Sequence, residues 1–290
     1  MKIIFPHTYR HVGTYLLMVF CFLVLSSCST VTPRTAAVFD RLTETRLDDL
    51  RTAYAEIAND ANPQAEKDRA ILLYHIGEQS ADYDTMGDVV DKLNALHEAN
   101  PNDAEITAYL GSAYTLRARD YPWQGLYQVV PGPGFVRLGY VGKGVQLLDS
   151  AVAQKGSSPA VRLVRGMTFT QLPRPFGKFD TGLDDLNRLR GWIEAKDIDT
   201  PHTGPQSFGK LDMEMGDPDP SRARGKVPNF AARYAAMLED PAFRGEFYFR
   251  LADAYRRNGD EVNSRKFFSR AAEAASPGSP FAIAAQEMLR

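Results

Sequence analysis

The sequence predicts an all-α fold, a solenoid of helix-turn-helix repeats with two irregular insertions. Three observations predict it. Apolar residues recur near the 3.6-residue helical period, a pattern of small and aromatic residues returns at a 34-residue spacing, and Pro, Asn, Asp and Ser stand where helices must stop and restart. The 290-residue chain is 44% hydrophobic and 24% charged, with a formal net charge of −2. That is an ordinary globular composition, able to bury a core. Its charge balance excludes the strongly basic footprint of a nucleic-acid-binding protein.

The first 27 residues stand apart. Lys2 and Arg10 are their only Lys or Arg residues, no acid occurs among them, and the apolar block Tyr15 to Leu25 is 11 residues long. A relaxed spanning helix needs roughly 17 to 25 apolar residues, and two serines follow the block, so residues 1–27 read as a cleaved export signal. Leu25-Ser26-Ser27-Cys28 resembles a bacterial lipobox. The resemblance implies a thioether-linked diacylglycerol on Cys28, cleavage before it, and acylation of the new amino terminus. Two or more acyl chains hold a soluble domain on a bilayer, whereas one anchors it only marginally. Ser29 follows the cysteine where an aspartate would imply retention at the inner membrane, so the resemblance implies the periplasmic side of the outer membrane. Cleavage takes away Cys21, Lys2 and Arg10, which moves the charge from −2 to −4. Cys28 then remains alone with its thiol blocked, no disulfide is open to the monomer, and the core must hold the domain unaided.

Residues 28–35, "CSTVTPRT", are a short polar tether, and the helical domain occupies 36–290. Val38, Phe39, Leu42, Leu47, Leu50, Tyr54 and Ile57 lie near a helical period, so one amphipathic helix opens the domain. Residues 70–103 form a 34-residue unit in which Leu73, Ile76 and Gly77 mark a first helix, Val89, Leu93 and Leu96 a second, and Pro101 the exit. The next unit starts in phase at Ala104, with Asn102 or Asp103 as cap and Leu110, Gly111 and Tyr114 at the matching offsets. A degenerate unit surrounds Gly166 and Leu186. Ser158-Pro159 opens it, and Thr181 sits capping-box-like before Asp184. The last unit carries Tyr248, Leu251, Ala252, Tyr255, Gly259, Phe268, Ala271 and Pro277, and a terminal helix opens at Ser279-Pro280. This pattern resembles the tetratricopeptide repeat. Its logic is steric: a small residue at Gly77, Gly111 or Ala252 lets two helices nearly touch, and an aromatic three residues on, Tyr114 or Tyr255, fills the wedge between units.

Two segments interrupt the repeat. Residues 118–140 hold Tyr121, Trp123, Tyr127, Phe135 and Tyr140 among glycines and prolines and read as an ordered aromatic loop. Residues 196–229 contain five prolines and four glycines and read as a surface excursion. Catalytic chemistry finds no foothold. The mature chain has three histidines, His75, His97 and His202, with no pair at zinc-protease spacing and no free cysteine. The acids Asp212, Glu214, Asp217 and Asp219 do not fit an EF-hand, because Arg222 and Pro228 occupy the positions that need Gly and Glu. "GYVGKG" at 139–144 lacks the Ser or Thr of a phosphate loop. Asp184 and Asp185 are adjacent on a helix expected to be solvated, so they point apart.

The expectation is therefore a non-enzymatic scaffold or adaptor without metal or cofactor, held to the membrane by lipid. The repeat resemblance implies recognition of a protein or peptide partner along the face made by the first helices. On the last unit its groove positions fall at Glu246, Phe249, Asp253, Arg256 and Arg257. This set lacks the Lys and Asn pattern of repeats that clamp a C-terminal carboxylate. The competing surface is the aromatic insertion, with Tyr121, Trp123 and Tyr127 as anchors. Two alternatives stay open at this level: a solute-relay or small-ligand lipoprotein accompanying a transporter, and an assembly factor for pilus, secretion or polysaccharide export machinery. The oligomeric state is not legible.

Overall fold

The computed structural model describes Val38 and residues 47–122, 133–197 and 238–290. The described residues are helical, with no strand among them. Residues 47–56 are helix and are followed by α1 (Pro63–Ser80), α2 (Tyr83–Ala99), α3 (Ala104–Arg119), α4 (Pro133–Lys155), α5 (Pro159–Gln171), a 3-10 turn (Arg174–Phe176), α6 (Phe179–Asp197), α7 (Pro241–Arg257), α8 (Glu261–Ala274) and α9 (Pro280–Leu289). Each helix packs on its neighbour in sequence, α3 on α4, α5 on α6 and α7 on α8 most extensively.

Helix starts follow the sequence signals. Asn62, Asp82, Asp103, Ser158, Asp240, Asp260 and Ser279 each accept a hydrogen bond from a backbone N–H of the first turn, satisfying donors the helix cannot satisfy itself. Pro63, Pro159, Pro241 and Pro280 open four of these helices, where a missing N–H costs nothing. Thr181 is a correction: α6 begins at Phe179, so Thr181 lies within its first turn and does not cap it. Phe179 is buried beneath the Arg174 guanidinium, 3.8 Å above its ring, which secures the earlier start. The expected loop at 118–140 is also shorter than its sequence suggests. Helix α4 already runs from Pro133, so Phe135 and Tyr140 are helical residues.

The small residues sit where helices touch. A side chain at Gly77 would meet Met86 Cε at 2.8 Å, and one at Gly166 would meet Leu186 Cδ2 at 2.9 Å. Gly111 and Gly144 face each other across the α3–α4 crossing, where a Cβ on Gly144 would stand 2.5 Å from the Gly111 carbonyl oxygen. The wedge tyrosines behave alike. Tyr114 OH accepts from Asn94 Nδ2 of α2 at 3.0 Å, and Tyr255 OH donates to Asn187 Oδ1 of α6 at 3.1 Å. Each ties the first helix of one pair to the second helix of the pair before it.

Two apolar clusters result, one running through α1 to α5 and one through α6 to α9. Val38 belongs to the second cluster, with Leu186, Phe247 and Leu251. Nineteen residues later, the carbonyls of Ile57 and Asp60 both accept from Arg69 Nη1 of α1. Val38 thus packs with the second cluster, and Ile57 and Asp60 bind α1.

Candidate functional site

The first helices α1, α3, α5 and α7 stand side by side, so equivalent residues form rows across them. One row is a chain of buried hydroxyls. Tyr74 OH lies 2.8 Å from Ser112 Oγ, which lies 2.7 Å from Thr168 Oγ1. Thr168 Oγ1 spends its only proton on the Val164 carbonyl at 2.7 Å, so Ser112 donates to Thr168 and Tyr74 donates to Ser112. Burial, with the charge of Glu78 beside it, pushes the Tyr74 phenol far above its ordinary value, and the proton that this direction requires stays in place. Rings of Tyr74, His75 and Tyr109 meet edge to face next to this row, at centroid distances of 5.0 to 5.8 Å.

The sequence-predicted groove residues lie on α7. Glu246 accepts from Arg250 Nε at 2.9 Å. Asp253 accepts from Arg256 Nε at 3.0 Å and Nη2 at 2.7 Å, and pairs with Arg257 Nε at 2.9 Å. Arg257 Nη1 also donates to the Thr170 carbonyl at 2.9 Å, fastening α7 to α5. Phe249 is a correction. It is 1% exposed, with the Phe268 and Phe281 rings at 5.2 and 5.7 Å. The terminal helix α9 covers that face of α7, so Phe249 is core and offers no surface to a partner. Arg250, absent from the expected set, joins the remaining four in one charge cluster.

Electrostatics show that this cluster is compact. Burial opposes the charge on Arg250, yet Glu246 and Glu78 outweigh it and hold the guanidinium above its usual value. Glu78 belongs to α1, so a carboxylate from the first helix of the row contributes to the field at Arg250. Arg257 goes the other way: burial, with Arg256 and Arg250 nearby, lowers it despite Asp253. The site thus concentrates arginines in a partly desolvated place, where a carboxylate would be bound more strongly than at an open surface.

Of the competing aromatic surface, Tyr121 is partly buried with its ring edge-on to Tyr83 at 5.5 Å. Trp123 and Tyr127 lie outside the described residues, as do Cys28, His202 and the acids between 212 and 219. Asp185 is a second correction. It is 1% exposed and accepts from Arg162 Nη1 at 2.5 Å and from Arg165 Nε at 2.6 Å, while Arg165 and Lys178 also reach Asp149. This network joins α4, α5 and α6. It was invisible in the sequence because its members are far apart in the chain and each resembles a surface charge. An open cleft of about 360 Å³ near the start of α7 is lined by Glu239, Pro241, Arg244, Arg270 and Glu273.

Among the described residues, no group of three or more His, Cys, Asp or Glu side chains could hold a metal ion, and no helix is long and apolar enough to cross a membrane. Comparison with protein-family models, curated proteins and solved structures returned no match.

Proposed function

We propose that this protein is a lipid-anchored scaffold or adaptor of the tetratricopeptide type, which binds a protein or peptide partner in the cell envelope. Its place is the periplasmic face of the outer membrane, with the anchor at Cys28. The observation that carries the binding role is the α7 cluster of Glu246, Arg250, Asp253, Arg256 and Arg257. These residues lie on α7, the last helix of the first-helix row. Partly buried arginines offer directional donors to carboxylates and carbonyls of an extended or helical segment. With Phe249, Tyr74 and Tyr109 all buried, recognition rests on the charged groups of this cluster.

The test is crosslinking and pull-down from detergent-solubilised envelopes with the full-length chain. A double variant, Arg256→Ala with Arg257→Ala, should lose partners retained by Trp123→Ala, after circular dichroism has confirmed folding of both. The reverse pattern would move recognition to the aromatic insertion. Cys28→Ser should abolish fatty-acid labelling and release the protein from the lipidated membrane fraction. Equal labelling of both chains would end the lipoprotein reading.

A further inference from the structure

Three helix faces meet around one arginine. Tyr114, Arg117 and Tyr121 recur at helical spacing along the end of α3, Tyr140 and Lys143 share a face of α4, and Tyr83 opens α2. Both α2 and α4 pack on α3. The Arg117 guanidinium carbon stands 5.0 Å from the centre of the Tyr83 ring and 5.4 Å from that of Tyr140. Tyr121 meets Tyr83 edge-on at 5.5 Å, and Tyr140 stacks on Tyr114 at 6.1 Å. Lys143 Nζ lies 4.2 Å from the centre of the Tyr114 ring and donates to its hydroxyl at 2.5 Å. The patch therefore joins two cations through a set of tyrosines.

These two cations differ from Arg250, Arg256 and Arg257 of α7 and from Arg162 and Arg165 of α5, each of which is paired with an acid. Among the described residues, no carboxylate lies within ion-pair distance of Arg117 or Lys143, and Asp91 acts on Arg117 only through its field. Arg117 Nε is buried and has no hydrogen-bond acceptor. A ring face attracts a cation, but it offers no strong acceptor to the N–H groups of a guanidinium, and a buried donor without one is costly. The pairs Arg117 with Tyr140 and Tyr114 with Lys143 run in opposite senses along α3 and α4, so the two charges are offset by one turn, about 4.5 Å along the axes. Like charges at such a spacing repel, and an anion seated between them relieves the repulsion.

We propose that this patch binds a phosphate group, free or carried on a small molecule. The terminal edge of the guanidinium presents N–H donors in one plane to two phosphate oxygens, and the ammonium takes a third oxygen as a point charge. The hydroxyls of Tyr83 and Tyr140, both of which act on the guanidinium, supply neutral donors beside it. A phosphate monoester carries about −1.5 to −2 charges at neutral pH and three acceptor oxygens, which suits two cations on different helices. A planar carboxylate, with two oxygens and one charge, is spent on the guanidinium alone. The site is separate from the α7 cluster and independent of the partner-binding reading.

The test is isothermal titration calorimetry of the full-length chain in neutral detergent, with inorganic phosphate, glycerol 3-phosphate and acetate as probes. The expected result is saturable binding of a phosphate probe, with acetate weaker by about tenfold or more. Arg117→Met should weaken phosphate binding by about tenfold and Lys143→Gln by about threefold. Lys266→Gln, which removes an exposed cation on α8, should leave it unchanged. Lys143 is exposed, so its variant should melt with the parent, and its comparison with Lys266→Gln decides the matter if Arg117→Met does not fold. Tighter binding of glycerol 3-phosphate than of inorganic phosphate assigns the site to a phosphorylated molecule, and the reverse order assigns it to the free ion. No saturable binding of either phosphate, equal affinity for acetate, or equal affinities in the Lys143 and Lys266 variants overturns the proposal.

Discussion

Replacing Gly144 by alanine probes the contact on which the α3–α4 pair depends. The added Cβ would lie 2.5 Å from the Gly111 carbonyl oxygen and 2.6 Å from Thr115 Cγ2. The first obstacle is backbone and cannot rotate aside, so the two helices must separate. Overpacking of a close-packed contact costs about 1 to 3 kcal/mol, and a backbone obstacle puts this case in the upper half of that range. Alanine returns about 1 kcal/mol through its helix propensity. The net loss is about 1 to 2 kcal/mol, which for a domain of this size lowers the melting temperature by about 2 to 8 °C. Gly191→Ala is the control. It too is helical, but nothing lies within 4 Å of its added Cβ, so the propensity gain stands alone and the midpoint should rise by about 2 to 4 °C. The assay is a thermal melt of both variants and the parent chain under identical conditions, followed by circular dichroism. If Gly144→Ala melts as high as Gly191→Ala, the two helices do not touch there and the steric reading of the repeat fails.

Two further outcomes follow from the polar groups. Asp185→Ala leaves Arg162 and Arg165, with side chains only 14% and 12% exposed, without their shared carboxylate. It should cost about 3 to 5 kcal/mol in a urea titration, whereas Asp184→Ala next to it, on the exposed side of α6, should stay within about 0.5 kcal/mol. Equal effects would contradict the buried network. Asp82→Ala removes the α2 cap and should cost about 1 kcal/mol at neutral pH. The Thr85 hydroxyl and N–H hold the Asp82 carboxyl below its ordinary value of 3.8. Its contribution is therefore present above that value and is lost as the pH falls through the lower folded-state value. The difference between parent and variant should shrink below about pH 4, and a difference that persists unchanged in acid would show that the carboxylate is not the cap.

Much of the fold was legible because its signals are local. Capping by Asp103, Ser158 and Ser279, the Pro openings, and the close approaches at Gly77, Gly111 and Gly166 depend on residues within one turn or one helix pair. A 34-residue spacing repeats those local rules, so helix order and pairing follow from it. Phe179 as a helix start was less legible, because its shielding by Arg174 comes from a turn with no periodic signal.

What the sequence by itself determined is the all-helical class and which helix pairs with which, since period, caps and small residues act between chain neighbours. Only the tertiary structure decided which faces remain available. Phe249 reads as a groove residue from its offset in the repeat, but α9 folds over it, and an offset cannot report the helix that arrives from beyond the unit. Asp185 reads as a solvated charge, but two arginines on α5 converge on it. Val38 reads as part of the apolar stripe of an opening amphipathic helix, but only the fold shows that it is buried in the cluster of α6 to α9. Tyr74, Ser112 and Thr168, on three separate helices, become one hydrogen-bonded row only when those helices stand together. Burial and pairing depend on groups brought from elsewhere in the chain, and no local pattern encodes their arrival.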